Sequence, residues 1–317
     1  MSSSSSARGG FPGAVRLFRF AGIDVFLHWT WLLIAVILVQ RPISQYQAPI
    51  WGVVEYLSLF AIVLMHEFGH SLACRSVGGR AERILLWPFG GVAYVTPPRR
   101  PGAILWSIVA GPLVNVFLMP ISVAALYTLP GWLIAPGGDA EQWLHSIVFM
   151  NIVLLVFNLM PIYPLDGGQI LQALLWFFVG EYRSLAIASS LGLIGAAAII
   201  GAALYFGNVW LILLAFMGAS RSMQGLRYAR ALKALATSPR HAVFACPSCR
   251  QHPPAGSFWR CDCGGLFDTF GHRGWCPHCG VLHARTTCPL CGAMHPMGAW
   301  VVAAGVAPGQ PASRLLE

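Results

Sequence analysis

Long apolar runs dominate the first two thirds of the chain, between about residue 23 and residue 214, and are broken by proline, glycine and a few charged residues. Six of these runs predict membrane-spanning helices, over residues 25–39, 53–73, 103–129, 143–160, 185–206 and 209–219. Most approach the ~20 residues that a helix needs to cross ~30 Å of hydrocarbon, whereas the sixth is short. Residues 169–179 are apolar but equally short, and they predict a helix at the membrane interface.

The composition excludes an ordinary soluble protein. Hydrophobic residues make up 56% of the 317 residues and charged residues only 10%, against roughly 25% charged residues in soluble domains. So few charges cannot cover a soluble fold of this size. The abundance of alanine, glycine, proline and arginine indicates GC-rich coding and favours a bacterial source.

The placement of arginine predicts how the spans are oriented. Arginines precede the first span, separate the second from the third, and follow the sixth: Arg8, Arg16 and Arg19; Arg75, Arg80, Arg83, Arg99 and Arg100; and Arg221, Arg227 and Arg230. Positive residues favour the cytoplasmic side of a membrane. We therefore expect a multi-pass protein of the cell membrane with both termini in the cytoplasm.

The second predicted span contains HEFGH at residues 66–70. His66 and His70 are four residues apart, so on a helix both imidazoles project from one face and can bind one metal ion. Glu67 lies beside them, where it can take a proton from an attacking water. Ionisable groups at membrane depth are costly and mark functional sites. The alternative is a structural pair of hydrogen-bonded histidines, with Glu67 in an ion pair.

A catalytic zinc needs a third protein ligand and one open position for water. Asp166 is the candidate, in NLMPIYPLDGGQ after the fourth predicted span. The second and fourth spans run in the same direction, so Asp166 is expected at the depth of HEFGH, near the inner leaflet. The alternative is that Asp166 only caps the helix that follows it.

These motifs together resemble the site-2 protease family of intramembrane zinc metalloproteases, over roughly residues 22–214. HWTW at His28, WPFGGVAYV and AGPLVNV fit the same resemblance. It implies that zinc is bound by His66, His70 and Asp166, that Glu67 is the general base, and that Asn115 and Asn158 contact the substrate.

Three of these assignments have alternatives. Asn115 could instead form an interhelical hydrogen bond, as polar residues in spans often do. The run around Asn158 is longer than the family pattern, which weakens that assignment. For His28 a structural role is favoured over a direct one.

WPFGGVAYV, at residues 87–95, is too short to cross a membrane. We expect a re-entrant β-hairpin that turns around Gly90 and Gly91 near the active site. A transmembrane helix must unwind before its peptide bonds are accessible, and an exposed strand edge could pair with the unwound segment. The alternative is an ordinary amphipathic loop.

Eight of the nine cysteines form four close pairs: Cys246 and Cys249, Cys261 and Cys263, Cys276 and Cys279, and Cys288 and Cys291. Two pairs make one tetrahedral site, so the pattern resembles tandem zinc ribbons with two structural zincs. Joining the first pair with the second and the third with the fourth is simplest, although an interleaved arrangement is allowed. Redox-active dithiols are the alternative.

The predicted fold is an all-α membrane protein, a six-span bundle with a short re-entrant β-hairpin, plus a small zinc-ribbon domain. The expected parts are a flexible N-terminus (1–20), a transmembrane metalloprotease domain (21–220), a basic linker (221–240), the double zinc ribbon (241–300) and a flexible tail (301–317).

The predicted function is that of an intramembrane zinc endopeptidase, with one catalytic and two structural zincs, which cleaves transmembrane segments of membrane-tethered regulatory proteins. The different-class alternative is a non-catalytic scaffold with a structural metal, but such a site has no need of Glu67. The ribbons are expected to bind a cytoplasmic protein partner. Their charge balance, four arginines against two aspartates between Cys246 and Cys291, argues against a nucleic-acid surface.

Overall fold

A computed structural model describes residues 11–31, 46–87, 90–130 and 134–301. The chain divides into two compact units, Met1–Ala229 and Arg230–Glu317. The first unit holds a sheet and most of the helices, and the second holds short strand pairs around the cysteines. The finer domain boundaries given above stay predictions.

Six α-helices lie in the described ranges. They are α1 (Ile50–Ser76), α2 (Pro101–Thr128), α3 (Asp139–Leu159), α4 (Asp166–Val179), α5 (Glu181–Phe206) and α6 (Val209–Thr237). Four of them, α1, α2, α3 and α5, are long and apolar enough to cross a membrane. The chain is therefore a multi-pass membrane protein, and the second to fifth predicted spans are confirmed as candidate spans.

The six-span prediction needs correction at both ends, because the described residues contain four candidate spans. A span that begins at Val25 is wrong, since Ile23–His28 is a β-strand, and its continuation through residues 32–39 lies outside the described residues. The sixth predicted span is the apolar start of α6. Its 11 residues extend about 16 Å at 1.5 Å per residue, too little to cross the hydrocarbon.

A four-stranded sheet precedes and follows α1 in the chain. Its strands, in spatial order, are β1 (Ala14–Phe20), β2 (Ile23–His28), β3 (Arg80–Trp87) and β4 (Gly90–Thr96). The outer pairs are antiparallel and β2 is parallel to β3. Alternate residues of β2 and β3 are buried and pack against Val63 of α1, namely Ile23, Val25, Ile84 and Leu86.

This sheet corrects the all-α prediction. A hairpin is present as β3 and β4, but Gly90 and Gly91, the expected turn residues, lie in β4 and pair with Trp87 and Leu86. The hairpin is also half of a larger sheet. Ala14–Phe20, expected to be flexible, is the edge strand β1. Its apolar side chains do not alternate cleanly with polar ones, and a register shift between Arg16 and Phe18 interrupts its pairing with β2. The period of two that signals a strand is therefore weak in this segment.

The second unit contains two small hairpins. Strands β5 (Trp259–Arg260) and β6 (Leu266–Phe267) form one, and β7 (Arg285–Thr287) and β8 (Met294–Pro296) form the other, followed by a 3-10 helix, Met297–Trp300. Its described core consists of two small clusters. In one, Trp300 and Phe270 pack against Cys246 and Cys288, and in the other Phe267 packs against Cys261 and Cys276. So small an apolar core implies that further cross-links hold the unit together.

Candidate metal centres

The intramembrane site brings together side chains from two helices. His66 and His70 lie one turn apart on α1, and Asp166 is the first residue of α4. The Nε2 atoms of the two histidines are 3.1 Å apart, and Asp166 Oδ2 lies 3.0 Å from one and 3.3 Å from the other. Both histidines are buried, and the Asp166 side chain is 13% exposed. The geometry joins the three residues that the sequence singled out.

Each histidine is oriented through its other ring nitrogen. His66 Nδ1 is 2.7 Å from the side-chain oxygen of Asn115, and His70 Nδ1 is 2.9 Å from the backbone carbonyl of Ser107. Because these oxygens can only accept, both Nδ1 atoms carry the proton. Both Nε2 atoms therefore turn a lone pair toward the point that they share with Asp166.

The spacing of these three atoms fits a tetrahedral zinc ion. Bonds of about 2.0–2.1 Å would put two ligand atoms about 3.3 Å apart, and the observed separations are 3.0–3.3 Å. Two imidazoles and one carboxylate leave the fourth position open, which is typical of catalytic zinc sites. The residues present thus suit the metal that the HEFGH pattern implies.

Glu67 is buried next to the two histidines and is held by the sheet. Its Oε2 accepts a hydrogen bond of 2.8 Å from the backbone N–H of Ala93 in β4. Gly91 lies two residues before Ala93 in the same strand. It makes room for the carboxylate, because a Cβ at Gly91 would lie 2.2 Å from Glu67 Cγ. Gly90 begins the same strand. Gly91 is therefore in contact with Glu67, whereas a Cβ at Gly90 would meet no atom within 4 Å. Substrate contacts of the two glycines stay predictions.

A second glycine contact makes room for the metal ligands. Gly111 of α2 faces the ring of His70, and a Cβ there would lie 2.2 Å from Nε2.

The alternative role of Asp166 as a helix cap is wrong. Leu165 is the N-cap of α4, and Asp166 turns its carboxylate to the histidines.

The remaining predicted residues lie in different surroundings. Asn115 is fully buried and hydrogen-bonded to His66, whereas Asn158 is half-buried at the end of α3. His28 ends β2, with its Nδ1 2.6 Å from the Thr30 hydroxyl. Substrate contacts of Asn115 and Asn158 stay predictions. Sequence reasoning missed the Ala93 amide and the Ser107 carbonyl, and backbone groups leave no signal in residue identity.

The cysteines of the second unit form two clusters of four. The first pair joins the fourth and the second joins the third, giving Cys246, Cys249, Cys288 and Cys291 in one cluster and Cys261, Cys263, Cys276 and Cys279 in the other. The simplest pairing, sequential, is therefore wrong. Each cluster takes its four cysteines from two of the close pairs, here called knuckles. Both knuckles of the second cluster lie, in the sequence, between the two knuckles of the first.

The sulfur separations in both clusters fit tetrahedral zinc. They are 3.5–3.8 Å, and Zn–S bonds of about 2.3 Å would place sulfurs about 3.8 Å apart. A disulfide would need about 2.05 Å, and all eight cysteines are free. The separations disfavour disulfides. Both clusters are suited to hold a metal.

Comparison with known proteins identifies the membrane unit. The model of peptidase family M50 matches residues 55–144 and 120–202, which include HEFGH and Asp166. A zinc metalloprotease of Methanocaldococcus jannaschii is 33% identical over 183 residues, 56% of this chain and 50% of that protein. Stage IV sporulation protein FB of Bacillus subtilis is 34% identical over 121 residues, 36% of this chain and 38% of that protein.

A solved structure agrees with the sequence matches. The site-2 protease from Methanocaldococcus jannaschii matches with a TM-score of 0.50 and 29% identity, over 67% of this chain and 95% of that chain. The buried His-His-Asp site in a bundle of candidate spans is the type of centre found in membrane metallopeptidases. The chain belongs to peptidase family M50, the site-2 protease family. It spans about half the length of the curated relatives it matches.

Proposed function

We propose that this protein is an intramembrane zinc endopeptidase that cleaves transmembrane segments of membrane-tethered regulatory proteins. The observation that carries the proposal is the convergence of His66, His70 and Asp166 at 3.0–3.3 Å, with the Glu67 carboxylate buried beside them. A structural metal would have no use for this fourth side chain, a second carboxylate, so the arrangement favours an enzyme over a scaffold.

The chemistry divides between a metal and the residues of the chain. Zinc bound by the three ligands would lower the pKa of a water molecule to about 7 and polarise the scissile carbonyl. Ala93 holds Oε2 of Glu67 by a 2.8 Å hydrogen bond, so Oε1 is the oxygen that takes the proton from the attacking water. Glu67 then delivers this proton to the leaving amine.

The β4 strand supplies a place for the substrate backbone. It is the last strand in the sheet order, and its Ala93 N–H points away from β3 toward Glu67. By the period of two, the backbone groups of Gly91 and Val95 lie on that same edge. We propose that an unwound substrate segment adds to this edge as a further strand, which brings its peptide bond beside the zinc site.

The two cysteine clusters complete the proposal. Each binds one structural zinc, which would give three zincs per chain, and the ribbon unit binds a cytoplasmic protein partner. The termini and the sheet lie on the cytoplasmic side of a bacterial cell membrane, in agreement with the arginine distribution. Water then reaches the site from the cytoplasm over a short path.

The test uses the full-length chain in proteoliposomes with single-span test proteins that carry Gly or Pro in the inner half of the span. Glu67→Gln should lower cleavage about 10²–10⁴-fold and leave the zinc content unchanged, whereas the exposed control Glu82→Gln should cleave like the parent. His66→Ala should lose one zinc. Cleavage by Glu67→Gln at the parent rate, or an unchanged zinc content in His66→Ala, would refute the proposal.

A further inference from the structure

Two fully buried asparagines lie next to the intramembrane site, on the side of His66 that faces away from the other metal ligands. Asn115 is on α2 and Asn151 is on α3, and both have no exposed surface. A buried amide is costly unless its polar atoms are hydrogen-bonded. These two amides bond to each other, since Asn115 Nδ2 donates to Asn151 Oδ1 at 3.0 Å.

The hydrogen bonds of this pair have a fixed direction. Asn151 Nδ2 donates to the carbonyl of Ile147, one turn earlier in its own helix, at 3.3 Å. That bond leaves Oδ1 of Asn151 facing Asn115, where it can only accept. Asn115 must therefore turn its NH₂ toward Asn151 and its Oδ1 toward His66, and His66 Nδ1 donates to this oxygen at 2.7 Å.

We propose that Asn151 is a positioning residue, which acts through Asn115 to keep His66 in the tautomer that binds zinc. This inference rests on the proposed function only in taking His66 as a zinc ligand. Without the acceptor at residue 151 the Asn115 amide can rotate by 180°. It would then present NH₂ to His66 Nδ1, which would have to accept, and the proton would move to Nε2, the atom that faces Asp166.

The same bonds assign Asn115 to orientation of His66. Its Oδ1 is taken by His66 and its Nδ2 is engaged by Asn151, so both polar atoms of the amide point into the protein. Metal-bound histidines commonly donate their second N–H to such a partner, and removing the partner costs 10–100-fold in metal affinity. Here the partner of His66, Asn115 on α2, is itself hydrogen-bonded to Asn151 on α3.

Residue 151 is a favourable position for substitution. Asn151 borders a cavity of about 290 Å³ between α1, α2 and α3, together with Ile147 and Leu118. The slightly different shape of leucine can be accommodated there. Asn151→Leu removes the acceptor, whereas Asn151→Asp retains an oxygen that accepts from Asn115 whether or not it is ionised. Ile147→Val is the matched packing control, because it borders the same cavity and keeps the backbone carbonyl.

The measurement is zinc content of the full-length chain at a series of chelator-buffered free zinc concentrations. Subtracting the content of His66→Ala isolates the intramembrane site. Asn151→Leu should weaken this site about 10-fold and Asn115→Ala 10–100-fold, whereas Asn151→Asp and Ile147→Val should stay within about twofold of the parent. The double variant Asn115→Ala, Asn151→Leu should match Asn115→Ala alone, because the effect of residue 151 passes through residue 115.

The outcomes separate this inference from the function on which it rests. Parent-like zinc binding by Asn151→Leu, equal losses in Asn151→Leu and Asn151→Asp, or a further tenfold loss in the double variant would each overturn the positioning role. If His66→Ala instead keeps the full zinc content, then His66 is not a ligand and the proposed peptidase fails as well.

Discussion

The intramembrane site and the cysteine clusters differ in how many ligands they present and in how those ligands are held. Three side chains converge in the membrane unit, from residues up to 100 positions apart, and each cysteine cluster joins four thiols from two short knuckles. A three-ligand site leaves a position for water and substrate, whereas a four-ligand site is closed. The first arrangement suits chemistry and the second suits stability.

The surroundings of the two kinds of site differ in the same way. In the membrane unit, rigid helices hold the ligands, and clearance around them comes from glycines at 91 and 111. In the second unit, tight turns hold the ligands. The backbone N–H groups of Gly280 and Gly292 donate to the carbonyls of Cys276 and Cys288 at 2.9 Å. Misplacement of a helix should therefore impair catalysis, and loss of a knuckle should unfold a unit.

The largest effect is expected from breaking a closed cluster. Cys246→Ser should remove the zinc of its own cluster and unfold the part of the second unit that packs on it, around Trp300 and Phe270, because structural zinc contributes about 10–16 kcal/mol in zinc-finger peptides. Limited proteolysis and metal analysis of the full chain would measure this. The intramembrane zinc should remain.

The matched control for Cys246→Ser is Cys74→Ser. Cys74 is buried in α1 and belongs to neither cluster, so its replacement should leave the zinc content unchanged. Retention of all zinc by Cys246→Ser would contradict a structural role for that cluster.

The second largest effect is expected from filling the space that Gly111 leaves beside His70 in the three-ligand site. Gly111→Ala should push His70 from its position, because the new Cβ would lie 2.2 Å from Nε2. Cleavage should fall about 10²-fold, the loss expected for misplacement by about 1 Å. Gly102→Ala, in the same helix, is the control, since the nearest atom to its Cβ is 3.9 Å away. Equal activity of the two variants would show that the helix tolerates the contact.

The intramembrane ligands were accessible to sequence reasoning because a helix has a fixed period. His66 and His70 share a face at a spacing of four, and Asp166 followed from the direction of the spans. The sheet was not accessible in this way. Its central pairing joins Asp24 to Arg83 across a helix, and no local pattern reports a contact between such distant residues.

The cysteine clusters show the same limit at shorter range. The spacing within each knuckle predicts two thiols that point at one ion, but nothing in the spacing says which knuckles meet. Trp300 and Phe270 pack against Cys246 and Cys288 in one core, and that tertiary packing brings the outer knuckles together. Pairing is thus a property of the folded core and not of the motifs.

A smaller effect is expected at a carboxylate in the second unit. Burial acts to raise the pKa of Asp268, but N–H donors from Gly271 and Gly256 and the ring of His241 lower it more, so the pKa lies below its usual range. The ionised form therefore stabilises the folded unit above the unfolded pKa of about 3.9, and this contribution is lost as the pH falls through the lowered value.

Asp268→Asn should consequently reduce the free energy of opening at pH 7 by about 2 kcal/mol, the typical value of a hydrogen bond to a charged group. Hydrogen exchange of the amides at Gly256 and Gly271 in the full chain would measure the change. Asp262→Asn is the control, because Asp262 is exposed. Unchanged exchange in Asp268→Asn would exclude this carboxylate as a stabilising group.

The smallest effect is expected on zinc release from the second cysteine cluster, where one imidazole, that of His283, lies beside a cysteine sulfur. His283 Nε2 lies 3.2 Å from Cys261 Sγ, and its ring packs on Phe267 with centroids 5.5 Å apart. An N–H donated to a thiolate stabilises its charge, so His283→Phe, which retains a ring, should speed zinc release from this cluster about tenfold. His278→Ala should not, because the His278 ring lies 3.2 Å from the Leu266 carbonyl and, among the described residues, has no hydrogen bond to a sulfur. Chelator-driven release from the full chain would measure both variants. Equal rates would mean that the four thiolates hold zinc without help, unlike the intramembrane site, where each histidine ligand has a partner.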